Sequence, residues 1–254
     1  MRPRPEDRQG FLSDILLSGG EGRRLESFPL SVPAFRDPKA IELHSAVTFF
    51  IGESGSGKST LIEAVAARLG FEELGGDAQV GNTHRFNHLA PDGGLHDYLQ
   101  IVSHRHRRPV DRFFMRAETV FDLASKLERG QEQDHGSLDR FGGVSLHTRS
   151  HGEAFLAIVQ NRMRAETLIL MDEPEAALTY SATHADQRDR LARPLRLSAS
   201  RCHPLTILMA HPDSSMYEMG EFGIRPTAYE KTEHYQVTTS FLNSPGSYLR
   251  HLVE

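Results

Sequence analysis

Residues 52–59 constrain the fold of this chain most strongly, because they fit the phosphate-binding pattern G-x-x-x-x-G-K-[ST]. The apolar, β-branched and aromatic residues 46–51 just before the pattern are typical of a buried strand. Residues 61–69 behind it combine helical apolar spacing with good helix formers. A strand, a glycine-rich loop and a helix in this order predict an α/β unit with the loop at the positive end of the helix.

This loop, which we call the P-loop, carries the groups that phosphate binding requires. Its glycines allow the backbone to curl so that successive N–H groups point at phosphate oxygens. Lys58 would reach the β- and γ-phosphates as a catalytic residue, and the Ser59 hydroxyl would be a ligand of Mg²⁺. The alternative, a glycine-rich turn without a ligand, fits the flanking strand and helix less well. The sequence therefore predicts a nucleoside triphosphate site formed by Gly52, Glu53, Ser54, Gly55, Ser56, Gly57, Lys58, Ser59 and Thr60.

The composition is ordinary for a globular protein, with 38% hydrophobic and 25% charged residues among 254. The net charge of −5 gives no overall attraction to nucleic acid, so such binding would need a local basic patch. The single cysteine, Cys202, excludes an internal disulfide and is typical of a reducing compartment. The N-terminus lacks a signal-peptide core, and no apolar run reaches the length of a membrane span. We therefore expect a cytoplasmic protein without direct membrane insertion.

Strands that alternate with helices predict a mostly parallel central sheet flanked by helices, and the strand-rich start predicts an N-terminal antiparallel β flap. We expect one domain over residues 1–254, with the flap at 1–45, the P-loop unit at 46–70, a variable and helical part at 71–150 and the remaining core at 151–254. Predicted strands span residues 11–17, 28–35, 41–51, 113–115, 167–171 and 206–210. Predicted helices span residues 95–102, 118–127, 154–163 and 181–197.

Two predicted strands downstream of the P-loop end in polar residues. Residues 167–171 lead directly into Asp172 and Glu173, and residues 206–210 lead into His211. Parallel strands deliver their carboxyl ends to the same crevice, so all three side chains are expected near the nucleotide. Asp172 would hold Mg²⁺ through water, and Glu173 would orient and deprotonate the attacking water. His211 would face the γ-phosphate as a further catalytic residue, with a purely structural histidine as the alternative.

A helix start between the P-loop and Asp172 is a second candidate anion site. Ser150, Gly152 and Glu153 open a predicted helix whose apolar residues follow at once. A serine and a glycine at a helix N-terminus can present N–H groups to an anion. The same residues also fit a plain N-cap in which Glu153 completes a capping box. The two interpretations are compatible with each other.

In order and spacing, the P-loop, residues 150–153, residues 172–178 and His211 resemble ABC-type ATPases of the P-loop NTPase superfamily. The likeness is greatest to small bacterial proteins known as AAA family or predicted ATPases, which are related to the recombination-repair and chromosome-structuring ATPases. It implies that Ser150, Gly152 and Glu153 lie in a signature motif that contacts the γ-phosphate of ATP bound to a second subunit. It further implies that residues 176–178 cross that dimer interface, with Glu173 as catalytic base and His211 as switch histidine.

The sequence departs from that family at several of these positions. Arg149 and His151 stand where the wider signature pattern has Leu and Gly, and Thr179 stands where an Asp is frequent. No clear glutamine follows the strand at residues 113–115; Glu118 is close to that place and would approach Mg²⁺ instead.

The resemblance implies a Mg²⁺-dependent ATPase that works as a head-to-tail homodimer on a protein partner or a nucleic acid. A nucleotide-gated regulatory module with slow turnover is the main alternative, and a P-loop kinase for a small molecule is a further one. A transport ATPase with a separate membrane subunit also fits the motifs.

Two minor features leave alternatives open. The basic residues 103–108 would contact nucleic-acid phosphates or form a solvated loop, and the acidic chain favours the loop. Phe35 would stack on adenine or pack in the core, and core packing is the more common role for such a residue.

Overall fold

The computed structural model describes residues 10–18, 26, 28–37, 39–71, 94–116, 125, 145–148, 151–162, 166–174, 195–199 and 209–246. Only the backbone is described for residues 146, 151, 152, 156, 159, 162 and 195–199. The main sheet has six strands in the order β5-β6-β7-β3-β8-β9. Neighbouring strands run parallel, except that β9 is antiparallel to β8. Its strands are β3 (Val47–Ile51), β5 (Asp111–Arg116), β6 (Thr167–Asp172), β7 (Leu195–Ala199), β8 (Ser214–Gly220) and β9 (Gly223–Thr227).

Strands β3 and β6 are buried along their whole length. Continuous burial is typical of parallel strands that are covered on both faces, which explains why their sequences are apolar runs rather than alternating ones. The sheet agrees with the predicted mostly parallel arrangement in the part of the chain that is described. The predicted strands at 46–51, 113–115 and 167–171 match β3, β5 and β6 within a few residues.

The described helices are α1 (Lys58–Arg68), α2 (His151–Arg162) and α3 (Glu233–Asn243). Helix α1 buries Leu61, Ile62 and Val65 in the core and begins directly after the P-loop, three residues earlier than predicted. Helix α2 agrees with the helix predicted at 154–163, and α3 was not predicted. No helix among the described residues is long and apolar enough to cross a membrane.

A smaller antiparallel sheet has the strand order β2-β1-β4 and consists of β1 (Leu12–Leu17), β2 (Lys39–Glu42) and β4 (Leu99–Ser103). The pairing of β1 with β2 agrees with the predicted flap, whereas the third strand comes from beyond the P-loop. The helix predicted at 95–102 was wrong, because only Leu95–Tyr98 form a 3-10 helix. In β4, Ile101 pairs opposite Ile15 of β1, so sheet pairing overrides the local helical pattern.

The strand predicted at 28–35 was also wrong, since these residues form turns and the 3-10 helix Pro33–Phe35. Pro33 occupies the first helical position, where its fixed φ suits a helix and its missing N–H costs nothing.

Two predictions in the C-terminal part need correction. Residues 195–197, predicted to end a helix, belong to β7, and their alternating sequence is typical of a strand. Of the strand predicted at 206–210, Met209 is helical and Ala210 lies in a turn, while 206–208 lie outside the described residues. Strand β7 fills the position between β6 and β3. Of the helix predicted at 118–127, only Ser125 is described, and it is helical.

Tyr217 connects the two sheets. Its hydroxyl donates a 2.6 Å hydrogen bond to the backbone carbonyl of Glu42 in β2, and its ring stacks on Phe50 at 5.8 Å. Burial raises the pKa of the Tyr217 hydroxyl above its ordinary value of 10.0, and the negative charge of Glu42 adds to the effect. The flap is therefore attached to the core sheet through a neutral, buried phenol.

We expect Tyr217→Phe to lower the free energy of unfolding at pH 7 by about 1 kcal/mol, because the Glu42 carbonyl loses its donor. Since the pKa of Tyr217 is raised in the folded state, its stabilising contribution is complete below pH 10 and decreases as the pH rises through the folded-state value. Urea unfolding between pH 7 and 10.5 measures both effects. Tyr98→Phe, which removes the hydroxyl of a half-buried tyrosine, is the control; equal losses in the two variants would contradict the assignment.

Candidate functional site

The P-loop turns between β3 and α1 through glycines with positive φ. The φ angles are +143° at Gly52, +81° at Gly55 and +99° at Gly57, values that other residues rarely adopt. The Ser56 N–H donates to the carbonyl of Glu53 at 3.2 Å and closes a tight turn within the loop. Gly57 is the N-cap of α1 and provides no side-chain hydrogen bond. The first N–H groups of α1 therefore need acceptors from outside the helix, and phosphate oxygens are suitable ones.

The back of the P-loop is packed tightly, whereas its tip is open. A Cβ on Gly52 would lie 2.2 Å from the carbonyl oxygen of Met219 in β8, and one on Gly57 would lie 2.9 Å from the Phe35 ring. A Cβ on Gly55 would have no heavy atom of the described residues within 4 Å. Phe35 is fully buried in this contact. It therefore has no exposed face for adenine, in agreement with the core-packing alternative.

Lys58 spans the inside of the loop although only 4% of the residue is exposed. Its Nζ donates to the carbonyl oxygens of Gly52 at 2.7 Å and Glu53 at 2.6 Å, and to the Ser56 hydroxyl at 3.4 Å. These bonds fix the ammonium group at the centre of the loop. A phosphate bound to the loop would meet a positive charge that is already in position.

The two predicted acids follow each other at the end of β6. Asp172 is 6% exposed and pairs in register with Ala199 of β7, which pairs with Phe50 of β3. Asp172 is thus level with the end of β3, about 10 Å away by two strand spacings. Glu173 comes next and has a φ of +51°, an unfavourable conformation for a glutamate. Backbone strain of this kind is concentrated at functional sites.

Sequence reasoning did not identify Arg116 and Glu63 as part of this site. Arg116 ends β5 in register with Asp172, and its Nε lies 3.6 Å from Oδ2 of that residue. Its Nη2 forms an ion pair with the carboxylate of Glu63 in α1. Two sequence signals pointed here: a charged residue at the end of an apolar strand, and a glutamate one helical turn after Ser59.

Buried charge distinguishes this edge of the sheet from the rest of the described structure. Among the residues whose side chains are described, the charged ones that count as buried are Lys58, Arg116 and Asp172. They come from α1, β5 and β6 and lie along the edge at which β3, β5 and β6 end. Burying charges is costly unless they are paired, and such concentrations of charge are typical of functional sites.

The donor set fits Mg²⁺. Ser59 and Asp172 offer a hydroxyl and a carboxylate, the oxygen ligands that Mg²⁺ prefers when nucleotide phosphates complete its coordination. Within the described ranges, no three His, Cys, Asp or Glu residues come together as a metal site of their own.

The other predicted site residues are not brought to this place. His211 precedes β8, whose first residue Ser214 pairs with Val47, the first residue of β3. The prediction that His211 faces the γ-phosphate disagrees with this position, because the length of β3, about 13 Å, lies between the two ends. Gly152 and Glu153 lie in the first turn of α2, with Glu153 exposed. Ser150, Glu118 and residues 176–178 lie outside the described residues.

Comparison with known proteins gives only distant similarities. No protein-family profile and no curated protein match the sequence. A protein assigned as a metal-chelate type ABC transporter, in an inward-facing conformation, has a TM-score of 0.43 at 13% identity over 81% of this chain and 80% of its own. One assigned as a cobalt transport ATP-binding protein has a TM-score of 0.37 at 13% identity over 87% and 80%. For a bacterial Atm1-family ABC exporter with ATP bound, the values are 0.42, 12%, 93% and 44%. These similarities are too low to assign a family.

Proposed function

We propose that this protein binds ATP with Mg²⁺ and hydrolyses it at the P-loop edge of the main sheet. The observation that carries this proposal is the set of buried charges, Lys58, Arg116 and Asp172, around a glycine loop with an open tip. A glycine-rich turn without a ligand would have no reason to bury an ammonium group and a carboxylate at the same edge.

The P-loop, its neighbouring residues and the acids at the end of β6 have separate roles in the proposed reaction. The N–H groups of the P-loop and the ammonium of Lys58 bind the β- and γ-phosphates and stabilise the charge that develops on them. Ser59 and Asp172 would hold Mg²⁺, which would neutralise phosphate charge when bound. Glu173 accepts the proton of the attacking water. His211 is not included, because it lies at the opposite end of β3.

We further propose that two subunits complete each site, in a head-to-tail homodimer. The resemblance noted above assigns Ser150 and Gly152 to contacts with ATP on the other subunit. The exposed residues Glu53, Ser54 and Gly55 at the tip of the loop leave room for such contacts. Hydrolysis would then separate the subunits and change the shape of a protein partner or a nucleic-acid complex.

The decisive experiment measures the solution mass of Glu173→Gln with and without Mg²⁺-ATP. Blocking hydrolysis should trap the ATP-bound dimer, so we expect the mass to double with ATP. Adding Ser150→Arg should abolish the doubling while ATP still binds. Adding Lys58→Met should abolish both, because the phosphates lose the ammonium group at the centre of the loop.

Three results would contradict parts of this proposal. A protein that does not bind ATP excludes the nucleotide function altogether. A monomer that binds ATP and never dimerises excludes the shared site and favours nucleotide-gated regulation. Phosphate found on a small acceptor, rather than released as inorganic phosphate, indicates a kinase.

A further inference from the structure

A cluster of three charges joins the P-loop helix to the two strands that end beside it. The guanidinium of Arg116 contacts the Glu63 carboxylate on one side, and its Nε lies 3.6 Å from Asp172 on the other. The side chains of Arg116, Glu63 and Asp172 are only 10%, 13% and 8% exposed. One cation thus lies between two carboxylates where water screens little of their charge.

The cluster connects helix α1, which contains Ser59, with strand β6, which contains Asp172; these are the two proposed protein ligands of Mg²⁺. Glu63 follows Ser59 by four residues in α1, so the two share one face of the helix. Arg116 and Asp172 are paired residues of neighbouring parallel strands, so their side chains are on the same face of the sheet. A change in the charge of Glu63 is therefore transmitted to Asp172 through one guanidinium.

We propose that Glu63 and Arg116 are positioning residues that set the Mg²⁺ affinity of the Asp172 carboxylate, with Glu63 holding the guanidinium away from it. The unequal contacts support this arrangement. Arg116 is in close contact with Glu63, whereas 3.6 Å from its Nε to Asp172 is longer than a charge-assisted hydrogen bond. Asp172 thereby keeps its orientation, and the guanidinium is kept from closing on its carboxylate.

Loss of the Glu63 charge should reverse the preference of Arg116 for Glu63 over Asp172. Arg116 would then be drawn towards Asp172, because the Glu63 carboxylate no longer attracts the guanidinium and Asp172 lies 3.6 Å from its Nε. A carboxylate that is engaged by a guanidinium is a poorer metal ligand, because its charge is already compensated. Glu63 would thus strengthen metal binding without touching the metal.

The test compares the Kd of a non-hydrolysable ATP analogue in Mg²⁺ with its Kd in EDTA. The ratio of the two constants measures the contribution of the metal to nucleotide binding and does not depend on turnover. We expect Glu63→Gln to reduce this ratio between about 10- and 100-fold, the usual effect of a residue that supports a metal ligand. The Kd in EDTA should stay unchanged. Glu233→Gln removes the same charge from an exposed position in α3 and is the matched control.

A double variant separates this mechanism from a simple loss of structure. In Glu63→Gln/Arg116→Met the guanidinium is absent and cannot pair with Asp172. The ratio of the two Kd values should therefore return most of the way to that of the wild-type protein. A ratio as low as in Glu63→Gln would contradict the proposal. If Glu63→Gln does not fold, Glu63→Asp gives the same test, because its shorter side chain weakens the hold on Arg116 in the same direction.

This inference rests on the proposed function, and the two can fail separately. A wild-type protein that binds no ATP analogue overturns the function. Alternatively, the wild-type protein binds the analogue more tightly with Mg²⁺ while Glu63→Gln shows the same ratio of Kd values as the wild type. That result overturns only the role of Glu63 and Arg116.

Discussion

Gly52→Ala is expected to lower the free energy of unfolding by about 3–5 kcal/mol, one of the largest effects of a single methyl group in this protein. The new Cβ would lie 2.2 Å from the carbonyl oxygen of Met219, and the backbone would have to keep a φ of +143°. Neither the loop nor β8 can give way easily, because β8 is paired on both sides, with β3 and β9. Urea unfolding followed by circular dichroism measures the loss.

Gly55→Ala is the matched control for this prediction. Gly55 also has a positive φ, but within the part of the chain that is described its Cβ would meet no heavy atom inside 4 Å. Only the backbone strain remains there, so the expected loss is about 1 kcal/mol. Similar losses at the two positions would mean that the contact with Met219 is unimportant and that strain alone controls both.

Replacing Glu173 should have the largest effect on activity. Glu173→Gln and Glu173→Asn both remove the carboxylate that we propose as acceptor of the proton of water, so we expect ATP hydrolysis to fall between about 10²- and 10⁴-fold. The two variants should differ in stability. Asn tolerates the left-handed conformation at φ +51° better than Gln, so Glu173→Asn should be the more stable of the two by about 1 kcal/mol.

Phosphate release and thermal unfolding of the two purified variants provide the measurements. A stable Asn variant without activity would show that the protein keeps a strained residue at this position for its chemistry. Full activity in either variant would remove Glu173 from the mechanism. Equal stability of the two would mean that the strain at this residue is relieved by its surroundings.

The local part of the site could be predicted from the sequence. The strand, P-loop and helix around Lys58 are specified by neighbouring residues, since glycines, apolar spacing and helix formers act over a few positions. The acids at the end of β6 follow from the same logic, because an apolar run that ends in Asp172 and Glu173 can only present them at the sheet edge. The structure adds the burial of Asp172 and the positive φ of Glu173.

The non-local part could not be predicted in this way. The contact of Arg116 with Glu63 joins residues 53 positions apart, and only the docking of α1 beside β5 and β6 brings them together. Residues 95–102 have a helical pattern, but pairing with β1 converts half of them to strand. His211 was predicted to follow a strand at 206–210, but Met209 is helical and Ala210 lies in a turn, and β7 is the strand between β6 and β3.

The contrast between the packed back and the open tip of the P-loop has a consequence for nucleotide exchange. Gly52 and Gly57 are fixed against β8 and Phe35, while Gly55 is exposed. If the loop binds a nucleotide as proposed, its phosphates would enter and leave from the tip without any repacking of the sheet. A second molecule that covers the tip would then control exchange by blocking this route.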